Sequence, residues 1–137
     1  MKTFDDILFQ LQSDVSKDLP ILLQNNNLQN FDEYAIGSSK DPKRKSLLIY
    51  FAGANFDNLI NEITIILHLQ LFQCEEFVTA KYMQVVVDYV KQYKPERIGM
   101  NILDTIEVEI YPIEKNSSTF VLVICTFQEF LDSCDKE

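Results

Sequence analysis

Four groups of side chains in this sequence have the types to do chemistry, and spacing decides what each can do. His68 is the single histidine. A catalytic imidazole needs a nucleophile and an orienting acid within reach. No local motif around residue 68 supplies either, so His68 is expected to be a structural or surface residue. Glu107 and Glu109 stand two apart, about 7 Å along an extended strand. Paired carboxylates can share acid–base work in a cleft. On an alternating strand they more simply charge a solvated or interface-facing surface, and that is the expectation. Lys40, Lys43, Arg44 and Lys45 make a basic patch. It has no interleaved aromatic and no glycine-rich cradle for phosphate. It reads as a solvated loop, or as a loop that docks on an acidic neighbour such as another copy of the chain. Cys74, Cys125 and Cys134 are odd in number and lack metal-ligand spacing, so free thiols are expected and no metal or other cofactor. The chain has no Walker loop, dinucleotide fingerprint or nucleophile elbow, and no enzyme is expected.

The elements that must position these groups are organised around residues 62–93. Ile63, Ile65, Leu67, Leu69 and Leu71 alternate with Thr64, Ile66, His68 and Gln70, a strand with one buried and one mixed face. From Glu75 the period lengthens: Val78, Tyr82, Val85, Tyr89 and Tyr93 recur at three and four, joined by Val86 and Val90. That spacing predicts a helix with a wide apolar stripe, stopped by Pro95 and Gly99. Ile65, Leu67, Leu69, Tyr82, Val86 and Tyr89 are the expected heart of the core. Upstream, Phe4, Ile7, Leu8, Leu11 and Val15 predict an amphipathic helix over 3–17, with Thr3 as N-cap; Leu19-Pro20 interrupts it, or Pro20 opens a second short helix through Leu23. Residues 24–30 read as a loop or a frayed helix end. A short strand is expected within 31–37, then a mobile basic loop over 37–46 and a strand over 47–51. Downstream, 104–127 predicts a hairpin. Its first strand has one wet or interfacial face and its second is apolar almost throughout. Phe51, Phe56, Phe72, Tyr111, Phe127 and Phe130 either complete the core or mark a subunit interface.

Length and composition agree with one folded domain spanning 1–137. The chain is 47% hydrophobic, enough for a core at this size. No window reaches the length of an apolar membrane span, and the N-terminus shows no signal-peptide pattern, so a cytoplasmic setting is expected. A net charge of −9 argues against general nucleic-acid binding, which needs a basic surface. The fold class expected is α+β: a mainly antiparallel sheet of four to five strands, with one long helix packed across it and an N-terminal amphipathic helix.

This order of elements resembles the tail terminator, or tail-completion, proteins of long-tailed phages and related particles. The amphipathic helix at 4–15, the loop at 37–46, the strand–helix unit at 62–93 and the hairpin at 104–127 fill that family's places in order. The resemblance lies in the pattern of elements and carries no sharp motif; residues 24–30 have no counterpart in it. It implies a structural virion protein that assembles into a homo-oligomeric ring, usually a hexamer, in the host cytoplasm. The ring caps the tail tube at its head-proximal end and joins it to the head connector or neck protein. DNA passes through without specific binding, and no membrane is involved. In that setting Lys43, Arg44, Lys45, Glu107, Glu109 and Tyr111 are the candidate subunit and partner contacts. A neck or head–tail joining protein is the near alternative. A small acidic immunity- or antitoxin-like protein that neutralises a basic enzyme is the alternative from another class.

Overall fold

The first helix is longer than its apolar stripe predicts. In the computed structural model α1 runs Phe4–Asn25, past the Leu19-Pro20 boundary at which the sequence reading ends it. A proline inside a helix costs about 3 kcal/mol through a lost hydrogen bond and a steric clash. Leu19 and Leu23, either side of Pro20, are both fully buried. Each stabilises the fold by about 1.5–3 kcal/mol when removed from water, so the core holds the helix through its breaker. The N-terminal end matches the expectation: Thr3 is the N-cap, its hydroxyl accepting from the Asp6 amide at 3.4 Å.

The structure describes residues 3–38, 43–56, 60–72, 74–100, 107–115 and 118–130; of Ile60, Phe72 and the last two stretches it describes the backbone, with Thr126 alone there in side-chain detail. After α1 the chain forms β1 (Glu33–Ile36), β2 (Ser46–Phe56), β3 (Ile60–Phe72), α2 (Glu76–Gln92), a 3₁₀ turn (Pro95–Ile98), β4 (Glu107–Lys115) and β5 (Ser118–Phe130). The class is α+β. The helices are two and comparable, 22 and 17 residues, where the sequence reading has one long helix and a shorter companion.

The first three strands form a mixed sheet: β1 lies parallel to β2, and β2 antiparallel to β3. The backbone of β5 and β4 continues it with antiparallel pairing, in the order β1-β2-β3-β5-β4. The parallel β1–β2 pair departs from a purely hairpin-linked sheet. A one-residue irregularity between Phe51 and Gly53 leaves Ala52 without a partner on β3, a bulge of the kind that bends a strand near a sheet edge.

Alternation on β3 decides which face carries the core. Ile63, Ile65, Leu67, Leu69 and Leu71 are all buried, against Ile7, Leu11, Val15, Leu19 and Leu23 of α1 and Tyr82, Val86 and Tyr89 of α2. Both helices therefore pack on one face of the sheet. The run Val85, Val86 and Val87 is a poor helix former, and its burial supplies what its propensity lacks. The helix ends at Gln92, before Pro95, as the residue preceding a proline disfavours helical backbone. Gly99, in the left-handed region at φ 78°, closes the 3₁₀ turn that follows.

Candidate interaction surface

The sheet face away from the helices carries His68. Its ring shares a hydrogen bond with the Tyr50 hydroxyl, from the neighbouring strand, through Nδ1. Burial pushes the imidazole below its ordinary pKa and the phenol above its own. Both groups are therefore neutral near pH 7. A neutral phenol with a raised pKa is a poor nucleophile, and the dyad is suited to fixing two strands in register.

The carboxylates that sequence reasoning did not single out lie on the opposite, helical side. Asp14 and Asp18, one turn apart on α1, both bond Arg97 from the 3₁₀ turn: Nη2 donates to Asp14 at 2.6 Å and Nη1 to Asp18 at 2.8 Å. The Tyr93 hydroxyl donates to Asp14 at 2.5 Å and the Tyr89 hydroxyl to Asp18 at 3.0 Å. Gln10 adds a third donor to Asp14 at 3.0 Å, and Arg97 sits over the Tyr93 ring. Asp14 is only 3% exposed. Partial burial works to raise the Asp18 pKa, but the bonds from Arg97 and Tyr89 outweigh it and the net shift is downward. Desolvation first, and then the bonded carboxylates, raise both phenols. This cluster ties α1 to α2 and to the turn beyond it. Its signal in the sequence is two i, i+4 pairs, Asp14/Asp18 and Tyr89/Tyr93, each placed inside an apolar stripe.

The basic segment is anchored where it is described. The Arg44 guanidinium donates to the Asp32 carbonyl at 3.0 Å and lies 3.7 Å from the Glu33 carboxylate. The Lys45 amide donates to the Asp32 carboxylate, and its ammonium reaches the Tyr82 hydroxyl at 3.2 Å. Tyr82 in turn donates to the Gln29 carbonyl at 2.6 Å. Gln70, buried beside them, donates to the Arg44 carbonyl. Arg44 and Lys45 are thus fastened to the start of β1, to β3 and to α2, in contrast to the solvated loop expected over 37–46. Lys43 is exposed, and Lys40 lies outside the described residues. Glu107, Glu109 and Tyr111 fall on β4, at the far edge of the sheet from the basic segment; their side chains lie outside the described residues. The structure does not bring the two halves of the expected contact set together within one chain.

Exposed aromatic surface gathers at the other end of β2. Phe4 lies 4.4 Å from Phe51 and 6.1 Å from Phe56, ring centroid to centroid. Phe56 remains 49% exposed. Phe9 on α1 and Phe77 on α2 are more exposed still, at 63% and 84%. Of the aromatics expected to finish the core or mark an interface, Phe51 is half-buried and Phe56 exposed; Phe72, Tyr111, Phe127 and Phe130 have side chains outside the described residues. An open groove of about 270 Å³ runs between α1 and α2, lined by Leu22, Asn26, Lys81, Gln84, Asp88 and Gln92 among others. Val85 and Tyr89 add apolar surface to it. Among the described residues no three His, Cys, Asp or Glu side chains are grouped to hold a metal ion, and no helix is long and apolar enough to cross a membrane. No protein-family model matches the chain, and no curated protein matches it in sequence.

Proposed function

We propose that this chain is a structural subunit of the tail-terminator kind. Copies close into a ring on the head-proximal end of a phage-type tail tube, stop its growth and present a surface to the head connector. The observation that supports this reading is the connection of the elements. An N-terminal helix is followed by a strand pair joined through a basic segment, a strand running directly into a helix across the sheet, and a last strand pair. In this reading the sheet is mainly antiparallel, with four to five strands, and α2 packs across it beside α1. The chain works by surface and not by catalysis: its buried polar groups are spent on holding elements together, and its exposed aromatics are left for contacts. Lys43 meets an acidic neighbour or the tube end. Glu107 and Glu109 give the ring a negative lining that keeps DNA mobile.

The test is the solution mass by light scattering, with negative-stain images of the same sample, alone and mixed with purified tail-tube protein. Rings of about six copies, or rings formed only on tube ends, are the expected result. A chain that stays monomeric and never joins a tube end overturns the reading.

A further inference from the structure

The outer side of β2 is covered along only part of its length. β1 lies beside it from Ser46 to Ile49, and the Gly37 amide donates to the Ile49 carbonyl and closes that part of the lane. From Phe51 to Phe56 the outer side pairs with no described strand, and Ala52, Ala54, Asn55 and Phe56 are exposed. The segment reads Phe-Ala-Gly-Ala-Asn-Phe. It lacks charge and proline, two of the devices that keep an edge from pairing.

Register fixes which groups face the opening. Ile49 turns its carbonyl toward β1, so Tyr50 turns its backbone toward β3, where it meets Ile66. Past the bulge, Gly53 meets Thr64 and Asn55 meets Glu62, in phase with Ile66 along β3. The backbone groups left turned outward are those of Phe51, Ala54 and Phe56. These three pair with Ile65, Ile63 and Asn61, and Ile63 and Ile65 belong to the core under the helices. All three residues therefore lie on the helical face. Phe4 packs against Phe51 and Phe56 there, and Phe4 and Phe56 keep 41% and 49% of their surface exposed. An added strand would meet its hydrogen-bonding groups and an aromatic shelf in the same phase. The charge around the edge is acidic: Asp5 and Asp6 are exposed in the first turn of α1, next to Phe4, and Glu62 lies across from Asn55 on the other face.

We propose that the β2 edge at 51–56 takes a short extended segment of a partner protein, apolar at alternate positions and carrying lysine or arginine between them. The segment adds to the sheet as an antiparallel strand, the more stable of the two ladders. Its apolar side chains lie on the shelf of Phe4, Phe51 and Phe56. Its basic side chains fall on the other face, toward Glu62, and the field of Asp5, Asp6 and a chain at −9 favours them over acidic ones. A second copy of this chain is the poorer occupant, because its net charge repels and its own β2 edge offers no basic residue. Gly37 and β1 fill the lane from Ile49 backward. The segment must therefore end, or turn away from the sheet, opposite Tyr50, as a chain end or a loop tip can. The proposal goes beyond the ring reading and does not depend on it.

The probe is a capped, dye-labelled peptide, Lys-Leu-Lys-Val-Lys-Val, titrated with the full chain and read by fluorescence anisotropy. It should bind about tenfold or more tighter than Lys-Lys-Lys-Leu-Val-Val, which keeps composition and charge but loses alternation, and than the same peptide with glutamate for lysine. Backbone methylation tests the ladder itself. In an antiparallel pair the apolar residues of the probe turn their amides toward β2, and the lysines turn theirs away. N-methylation at leucine and valine should therefore weaken binding about tenfold or more, and N-methylation at the lysines should leave it unchanged. On the protein, Ala54→Pro removes an outward donor without touching the β3 ladder. It should weaken the probe by a similar factor with circular dichroism unchanged; if it unfolds the chain, the methylated peptides on the parent chain decide. Equal binding of the shuffled peptide would reduce the effect to charge and overturn the proposal, and so would no binding at all. Loss on lysine methylation alone would overturn the antiparallel ladder. Parent oligomers that Ala54→Pro splits, with no binding of the probe, would give the edge to a second copy and overturn it too. None of these failures touches the ring reading, which is decided by mass and by images of tube ends.

Discussion

Asp14 is the residue on which most of the polar architecture turns. It is buried and bonded by Tyr93, Arg97 and Gln10, and its removal would take from the buried Tyr93 hydroxyl the carboxylate it bonds. Breaking a buried pair by removing one partner costs about 3–5 kcal/mol; because Arg97 keeps 38% of its side chain in solvent, Asp14→Ala should cost nearer 2–3 kcal/mol. Urea unfolding should show a lower midpoint at unchanged slope. Its neighbour Asp18 makes the effect depend on pH. The folded pKa of Asp18 lies below the usual value, so its contribution is complete above the unfolded carboxylate value of about 3.9 and is lost as pH falls through the lower folded value. Asp18→Asn should be less stable than the parent at neutral pH, and its loss of stability on acidification should be shallower. His68 acts in the same direction in a higher window. Its folded pKa is depressed by burial, so stability is complete above about pH 6.5 and falls as pH drops from there through the folded value. His68→Gln should remove that part of the slope between pH 6.5 and the acid limb, and a series of urea midpoints across pH would display its absence.

At the scale of elements, the proline in α1 gives the clearest prediction. Pro20 sits inside a helix held by Leu19 and Leu23, and Pro20→Ala restores the amide donor to the Ser16 carbonyl. The gain of up to about 3 kcal/mol in the folded state is offset by about 0.4–1 kcal/mol from the freer unfolded chain. A net stabilisation of about 1–2 kcal/mol is expected, read as a higher thermal midpoint. The same proline shows where the sequence is legible and where it is not. Periodicity alone places the buried face of β3, the stripe of α2 and the cap at Thr3, because each depends on residues close in the chain. It ends α1 too early because the force that carries the helix past Pro20 comes from a core contributed by distant strands. The anchoring of Arg44 and Lys45 by Asp32, Glu33 and Tyr82 is illegible for the same reason: a run of basic residues looks solvated until the fold supplies its acids. Asp14 and Asp18 are missed because an acid within an apolar stripe is read as noise until Arg97, some eighty residues on, arrives beside it.

At the scale of the whole molecule, charge distinguishes the ring from the small acidic binding protein by the sign of a salt effect. Every copy carries −9, so bringing copies together sets like charges near one another. Backbone pairing and apolar contact must supply the affinity against that repulsion. Raising the salt from about 0.05 to about 0.5 M shortens the screening length from above 10 Å to below it. Repulsion between subunits is weakened more than the short-range contacts are, so self-association should strengthen with salt. An acidic protein that neutralises a basic enzyme draws its affinity from attraction between opposite fields, and its binding falls steeply over the same range. Light scattering across a salt series reads the sign directly. A mass that grows with salt fits subunits held by sheet edges and exposed aromatics. A monomer at all salt concentrations, paired with salt-sensitive capture of a basic protein such as lysozyme or a basic ribonuclease used as probe, would move the chain to the other class. If the chain is a ring subunit, the same repulsion predicts that assembly at low ionic strength needs a template: a tube end that fixes the first copies would supply the local concentration that screening otherwise provides.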